Sequence, residues 1–208
     1  LGSRVAAITS TFTQGNLTHV ENPFSVALEG DGFFQIRTES GELQYTRDGS
    51  FEISPVANGN MLCTSDGNPV LDAYGNQIIL PSNRVATDLV VNQDGTLAFP
   101  DGTGNPAVIT DANGRPVKFG IYQFNNPAGL SKEGSNNYSV TVASGAAVAE
   151  NGNAAVKQTK THQYYTEASN VDVANEMVNL IVAQRAYEMN SKAIQASDEM
   201  MQQANALR

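Results

Sequence analysis

No glycine or proline occurs after residue 152, although the chain of 208 residues holds 18 glycines and eight prolines. Residues 171–207 therefore admit one uninterrupted helix of about 36 residues, roughly 54 Å long at 1.5 Å per residue. Helices of globular proteins average ~10–14 residues, so a helix of this length must find partners along most of its course. Ser169 stands where an N-cap belongs, and Asp172 follows three residues later as a short-armed capping box. Asp172 and Glu176 also put negative charge in the first turns, where the helix dipole favours it.

The apolar residues of this stretch fall on two heptad seams. One runs through Val182, Ala186, Met189, Ala193, Ala196, Met200, Gln203 and Leu207, at alternating spacings of four and three. The other runs through Val173, Met177, Leu180, Gln184, Tyr187, Ser191, Ile194, Asp198 and Met201, with polar members interleaved. Two seams require more than one helical neighbour. Everything upstream reads as β-structure, so the expected neighbours are other chains or a segment outside this sequence. Small residues, Ala186 and Ala193 among them, allow close approach of a second helix. Four of the five methionines lie here and offer adaptable contacts.

Upstream, short apolar or alternating runs recur at 24–28, 33–36, 61–64, 77–80, 88–92, 117–124 and 137–142. Between them stand Asp31-Gly32, Asp48-Gly49, Asn58-Gly59, Asp66-Gly67, Asp94-Gly95, Asp101-Gly102 and Asn113-Gly114, pairs that mark tight turns. The expected fold class is mainly β: an irregular all-β domain of short antiparallel strands over residues 1–168, in one large or two small subdomains. The long C-terminal helix, an assembly element, then occupies 169–208.

Composition narrows the function. The net charge of −9, with twelve scattered lysines and arginines, argues against nucleic acid and anionic membranes as partners. No apolar run approaches the ~20 residues that cross a bilayer. Charged residues make up 16%, well under the roughly one quarter of an average globular protein. One cysteine and two histidines supply neither a disulfide nor a Cys/His metal cluster, so no metal or cofactor is expected. Cys63 sits in an apolar stretch and reads as a buried thiol. The Asp-Gly aspartates read as turn formers rather than as calcium ligands.

Two rival classes have candidate residues. A secreted carbohydrate- or protein-binding module would gather Tyr45, Tyr74 and Tyr138 on one face, but leaves the helix unexplained. A hydrolase would use paired carboxylates such as Glu29 and Asp31, yet no nucleophile–base pair is visible. His19 and His162 lie far apart in sequence and in no catalytic motif, and no Gly-x-Ser-x-Gly elbow occurs. The chain is not expected to be an enzyme or to take a small-molecule substrate.

Several ordered motifs carry a resemblance. They are residues 13–17 (Thr-Gln-Gly-Asn-Leu), 26–34 (Val-Ala-Leu-Glu-Gly-Asp-Gly-Phe-Phe), 45–51 (Tyr-Thr-Arg-Asp-Gly-Ser-Phe) and 66–71 (Asp-Gly-Asn-Pro-Val-Leu). Residues 124–130, Ser144-Gly145, 167–172 (Glu-Ala-Ser-Asn-Val-Asp) and 184–190 (Gln-Arg-Ala-Tyr-Glu-Met-Asn) follow in order. Over nearly its whole length the chain resembles the rod and hook proteins of the bacterial flagellum, most closely the distal rod type. The resemblance implies a structural subunit of the basal body, exported by the flagellar type III apparatus without a cleaved signal. It also implies self-assembly into a helical axial tube that transmits motor torque to the hook, with neighbouring rod and hook proteins as the other partners. In that family the two chain ends form helices that pair as a coiled coil. Only the C-terminal one has a counterpart here, and residue 1 is not Met, so the gene product is expected to be longer. A proximal rod or hook paralogue is the alternative.

Overall fold

The computed structural model describes residues 10–101, 106–153 and 155–206. Leu207 and Gly102, named above, lie outside the described residues. The chain divides into two compact units, residues 1–169 and 170–208.

Among the described residues the first unit is built from sixteen short strands, all paired antiparallel. They are β1 (Leu17–His19), β2 (Val26–Glu29), β3 (Phe33–Arg37), β4 (Leu43–Thr46), β5 (Glu52–Val56), β6 (Gly59–Cys63), β7 (Ile79–Leu80) and β8 (Val90–Val91). There follow β9 (Leu97–Pro100), β10 (Pro106–Val108), β11 (Ile121–Gln123), β12 (Ser131–Gly134), β13 (Asn137–Ser139), β14 (Val148–Ala149), β15 (Lys160–Gln163) and β16 (Tyr165–Glu167). The largest sheet has the order β12-β13-β4-β3-β11-β14. Two three-stranded sheets, β5-β6-β7 and β10-β9-β8, and the pairs β2-β15 and β1-β16 complete the unit.

Five hairpin loops share one design. In the loops that begin at Thr38, Thr64, Asp72, Asn92 and Asp111, the first residue donates its N–H to the carbonyl four residues on. The fourth residue, a glycine in every case, donates back to the carbonyl of the first. Gly41, Gly67, Gly75, Gly95 and Gly114 hold φ between 75° and 87°, a left-handed position that closes a type I turn with a bulge. The short polar side chain at the first position often reinforces the loop. Asp72 Oδ1 accepts from the N–H of Tyr74 and of Asn76, and Asp111 Oδ1 accepts from those of Asn113 and Arg115.

Asp31-Gly32 and Asp48-Gly49 depart from the expected turns. Gly49 is required by close approach: a Cβ there would stand 1.8 Å from the carbonyl oxygen of Val26. Gly32 is similar, with its missing Cβ 2.5 Å from Ile121 Cγ2.

Strand alternation directs side chains into two cores. Phe34, Ile36, Phe51, Leu62, Val70, Ile78, Leu80, Leu97 and Phe119 belong to the larger one. Phe33, Tyr45, Phe124 and Leu130 form the smaller one, against Phe12, Tyr122 and Tyr138. The central sheet is thus covered on both faces at β3. Cys63 is buried as expected; its thiol donates to the Glu52 carbonyl at 3.5 Å, and burial pushes its pKa up.

Some expected strands shrink. Only Val90–Val91 of 88–92 is strand, because Ala86–Asp88 forms a 3₁₀ turn. The run 117–124 contributes Ile121–Gln123, with Lys118 and Phe119 making isolated bridges to Thr96 and Asp72.

The second unit is the helix α1 (Val173–Ala206), 34 residues long. It begins four residues after Ser169, so the cap position belongs to Asp172. The Asp172 carboxylate Oδ1 accepts from the Ala174 N–H at 3.0 Å, and the Asp172 carbonyl accepts from Glu176. The expected N-cap at Ser169 is therefore corrected to Asp172. With Oδ1 already engaged at the helix start, Oδ2 also takes the Asn175 side-chain amide at 2.7 Å. Among the described residues no helix is long and apolar enough to cross a membrane.

Candidate assembly interface

No residue of α1 is buried. Eleven large apolar side chains are exposed on it: Val173, Met177, Val178, Leu180, Ile181, Val182, Tyr187, Met189, Ile194, Met200 and Met201, each at 48–76%. A helix with 3.6 residues per turn places the seam through Val182, Met189, Ala193 and Met200 nearly opposite the seam through Leu180, Tyr187, Ile194 and Met201. Val178 extends the first seam by one step toward the N-terminus, and Ile181 fills the gap between the two. Heptad spacing alone does not mark these two; the apolar pair Met177-Val178 and the unbroken apolar run 180–182 are the available signals. A lone amphipathic helix carries one apolar stripe, whereas α1 carries apolar groups on two sides.

Upstream of this helix in the sequence, the first unit contains a polar clasp. Arg47, in the loop after β4, sends Nε to Glu167 Oε2 at 2.9 Å, with Nη2 also 2.9 Å from that oxygen but not aligned for a second hydrogen bond. Arg47 Nη1 donates to the carbonyls of Gly30 and Gly32 at 2.9 and 3.1 Å. The second oxygen of Glu167 accepts from the Gly15 N–H at 2.9 Å. Gln14 completes the ring, donating to the Leu28 carbonyl and accepting from the Gly30 N–H. Both Arg47 and Glu167 side chains are largely buried, at 14% and 13% exposure. A buried ion pair is tolerable when most of its hydrogen-bonding capacity is filled. Here Nε and Nη1 of Arg47 and both Glu167 oxygens are bonded, and Nη2 alone has the charge contact without a hydrogen bond. Gly15 cannot be replaced here, because a Cβ would stand 1.9 Å from the Ala168 carbonyl oxygen.

The residues of the rival readings are placed as follows. Tyr45 is buried and Tyr138 is half-buried among Phe12 and Phe33, while Tyr74 is exposed with the Arg115 guanidinium 3.9 Å over its ring. The three tyrosines thus form no common face. Glu29 pairs with His162, Nε2 to Oε2 at 2.7 Å, and not with Asp31. His19 and His162, remote in sequence, both pack against the Tyr165 ring, at 5.3 and 6.2 Å between centroids.

Two family models match the chain. The one described as flagellar hook protein FlgE/F/G D1 domain covers residues 27–99, and the one described as flagellar basal body rod FlgEFG protein C-terminal covers 162–207. The flagellar basal-body rod protein FlgG of Borreliella burgdorferi is 38% identical over 211 residues, covering 100% of this chain and 73% of that protein. FlgG of Agrobacterium fabrum is 38% identical over 204 residues, covering 96% and 70%. The flagellar hook-basal body complex protein FlhP of Bacillus subtilis is 34% identical over 199 residues, covering 94% and 69%. This chain belongs to the flagellar basal-body rod protein family. The two matched stretches, separated by 62 residues of other chain, meet physically at Arg47 and Glu167. The signature residues Gln14, Gly15, Gly30, Gly32, Arg47 and Glu167 therefore belong to one hydrogen-bonded cluster. All the seam residues lie within the rod C-terminal match.

Proposed function

We propose that this chain is a structural subunit of the flagellar basal-body rod, of the distal rod type, and that α1 is its assembly element. The observation that carries the reading is the helix itself. Eleven large apolar side chains at about half exposure or more form a surface far larger than a monomeric protein normally leaves to water. Family membership supplies the setting, and relatives named FlgG supply the rod type.

In this mechanism Val182, Ala186, Met189, Ala193, Ala196 and Met200 pack against one neighbouring helix, as in a coiled coil. Val173, Met177, Leu180, Tyr187, Ile194 and Met201 pack against another. Each methylene removed from water contributes roughly 0.8 kcal/mol. Gln184, Ser191 and Asp198 then set the register of packing. Repeated head-to-tail without ring closure, such contacts give an open helical filament, the form that passes torque along an axis. The partners are further copies of this chain and adjoining rod and hook proteins, and the place is the basal body, reached by type III export. The function is mechanical, without a chemical step.

The test replaces Met189 and Ala193 with Asp in the full-length protein in its own cell. Cells should lose rods and motility while the variant remains soluble with the β-sheet signal of the parent in circular dichroism. Normal rods built from the double variant would sink the reading.

A further inference from the structure

The last strand of the body changes partners at a single residue. β15 pairs with β2 through Gln163↔Val26, and β16 pairs with β1 through Tyr165↔His19. Tyr164 between them has φ of 64°, the left-handed region that a bulky side chain enters only under strain. Its backbone is held on both sides, its N–H donating to the Ser25 carbonyl and its carbonyl accepting from the Val20 N–H. Its ring stacks on His19 at 6.4 Å between centroids and 19° between planes.

Beyond this joint the β1–β16 ladder contributes no buried residue to either core. The β2–β15 ladder before it is anchored by Val26, Ala27, Leu28 and Thr161, all about 1% exposed or less. Elements with few buried apolar contacts open at lower free energy than the cores they adjoin. Besides its own backbone pairing and the His19 ring contacts, the ladder is tied to the body by Glu167. One oxygen takes the Gly15 N–H ahead of β1, and the other takes Arg47 Nε, while Arg47 Nη1 is fixed on Gly30 and Gly32.

We propose that the β1–β16 ladder is a separately opening clasp, hinged at the strained Tyr164 and latched by the Glu167 carboxylate. Opening releases residues 14–20 and 165–168 together while both cores stay folded. The latch is a set of charge-assisted hydrogen bonds, each stronger than a neutral one, so removal of the charge weakens it without emptying a core. Residues 165–168 lie just ahead of α1 in the sequence, so opening releases the strand that precedes the helix in the chain. This inference stands on the body alone and holds whether or not α1 assembles as proposed.

Amide hydrogen exchange of the full chain tests it, followed by mass spectrometry across a series of low urea concentrations. In the unmodified protein, peptides spanning 14–20 and 165–168 should exchange at least about tenfold faster than those of β2, β3 and β15, with little urea dependence. Glu167→Gln should accelerate exchange in those two segments together by a further factor of about ten and leave β3, β6 and β9 unchanged. The clasp is overturned if the two segments exchange at the core rate with the core's urea dependence. It is equally overturned if Glu167→Gln speeds exchange evenly through the body. The urea series on the unmodified protein decides the matter even if the variant folds poorly.

Discussion

Phe33 and Phe34 are neighbours on one strand and serve different cores. Phe34 stacks edge-on against Phe51 and Phe119, at 5.0 and 5.3 Å, in the larger core. Phe33 meets Phe12, Phe124 and Tyr138 on the opposite face, at 5.5–6.1 Å. The pair makes β3 the partition of the body, a strand buried on both sides although its sheet is antiparallel.

Truncation should separate the two cores. Phe34→Ala removes a ring at 0% exposure from the larger cluster and should cost about 3–5 kcal/mol in urea unfolding. Phe33→Ala opens the smaller cluster, which is bordered by half-buried residues that can shift inward, and should cost less, about 2–3 kcal/mol. An equal loss from both would show that the body has a single core.

The glycines should fall into two classes. Gly49→Ala drives a Cβ into the Val26 carbonyl, rigid backbone that carries the hydrogen bond from Val26 N–H to Gly49 in the same place. Its cost should reach about 3 kcal/mol or more. Gly67→Ala meets nothing within 4 Å and bears only the left-handed penalty, about 1–2 kcal/mol. Chemical denaturation of the two variants checks the ranking, and a milder loss at Gly49 would contradict the close approach.

The Glu29–His162 pair gives a signed pH dependence. Its hydrogen bond from His162 holds the Glu29 carboxyl below the usual carboxylate range, against a smaller opposing effect of burial. A depressed folded-state pKa adds stability that is complete above the unfolded value near ~4.3 and is lost as pH falls through the folded value. His162→Ala should therefore lower stability above about pH 5 and converge with the parent in more acidic solution. The effect is small because Glu29 is 55% exposed. A stability difference that stays constant down to about pH 2 would show that this pair is not its source.

Much of this was legible in the chain. The absence of glycine and proline over 171–207, together with the cap signal just before it and the heptad spacing within it, gave the helix its length to within a few residues. Asp66-Gly67, Asp94-Gly95 and Asn113-Gly114 identified true left-handed turns, because a tight loop needs a residue without a Cβ. Strands such as Lys160–Gln163 and Ser131–Gly134 left no such mark. They carry polar side chains, and their identity comes from the partner strand across the ladder. Ser40-Gly41 and Tyr74-Gly75, two of the five repeated loops, lacked an Asp-Gly or Asn-Gly pair and so passed unnoticed.

By itself, then, the sequence determined the local elements: where backbone can turn, where a helix cannot break, and which helical positions are apolar. These depend on residues within a few places of one another. Only the tertiary structure decided that Gly32 and Gly49 serve close packing, that His162 answers Glu29, and that Arg47 clasps Glu167 across 120 residues of chain. Those outcomes depend on which distant backbones are brought together, and a charge or a missing Cβ does not state in advance what it will meet.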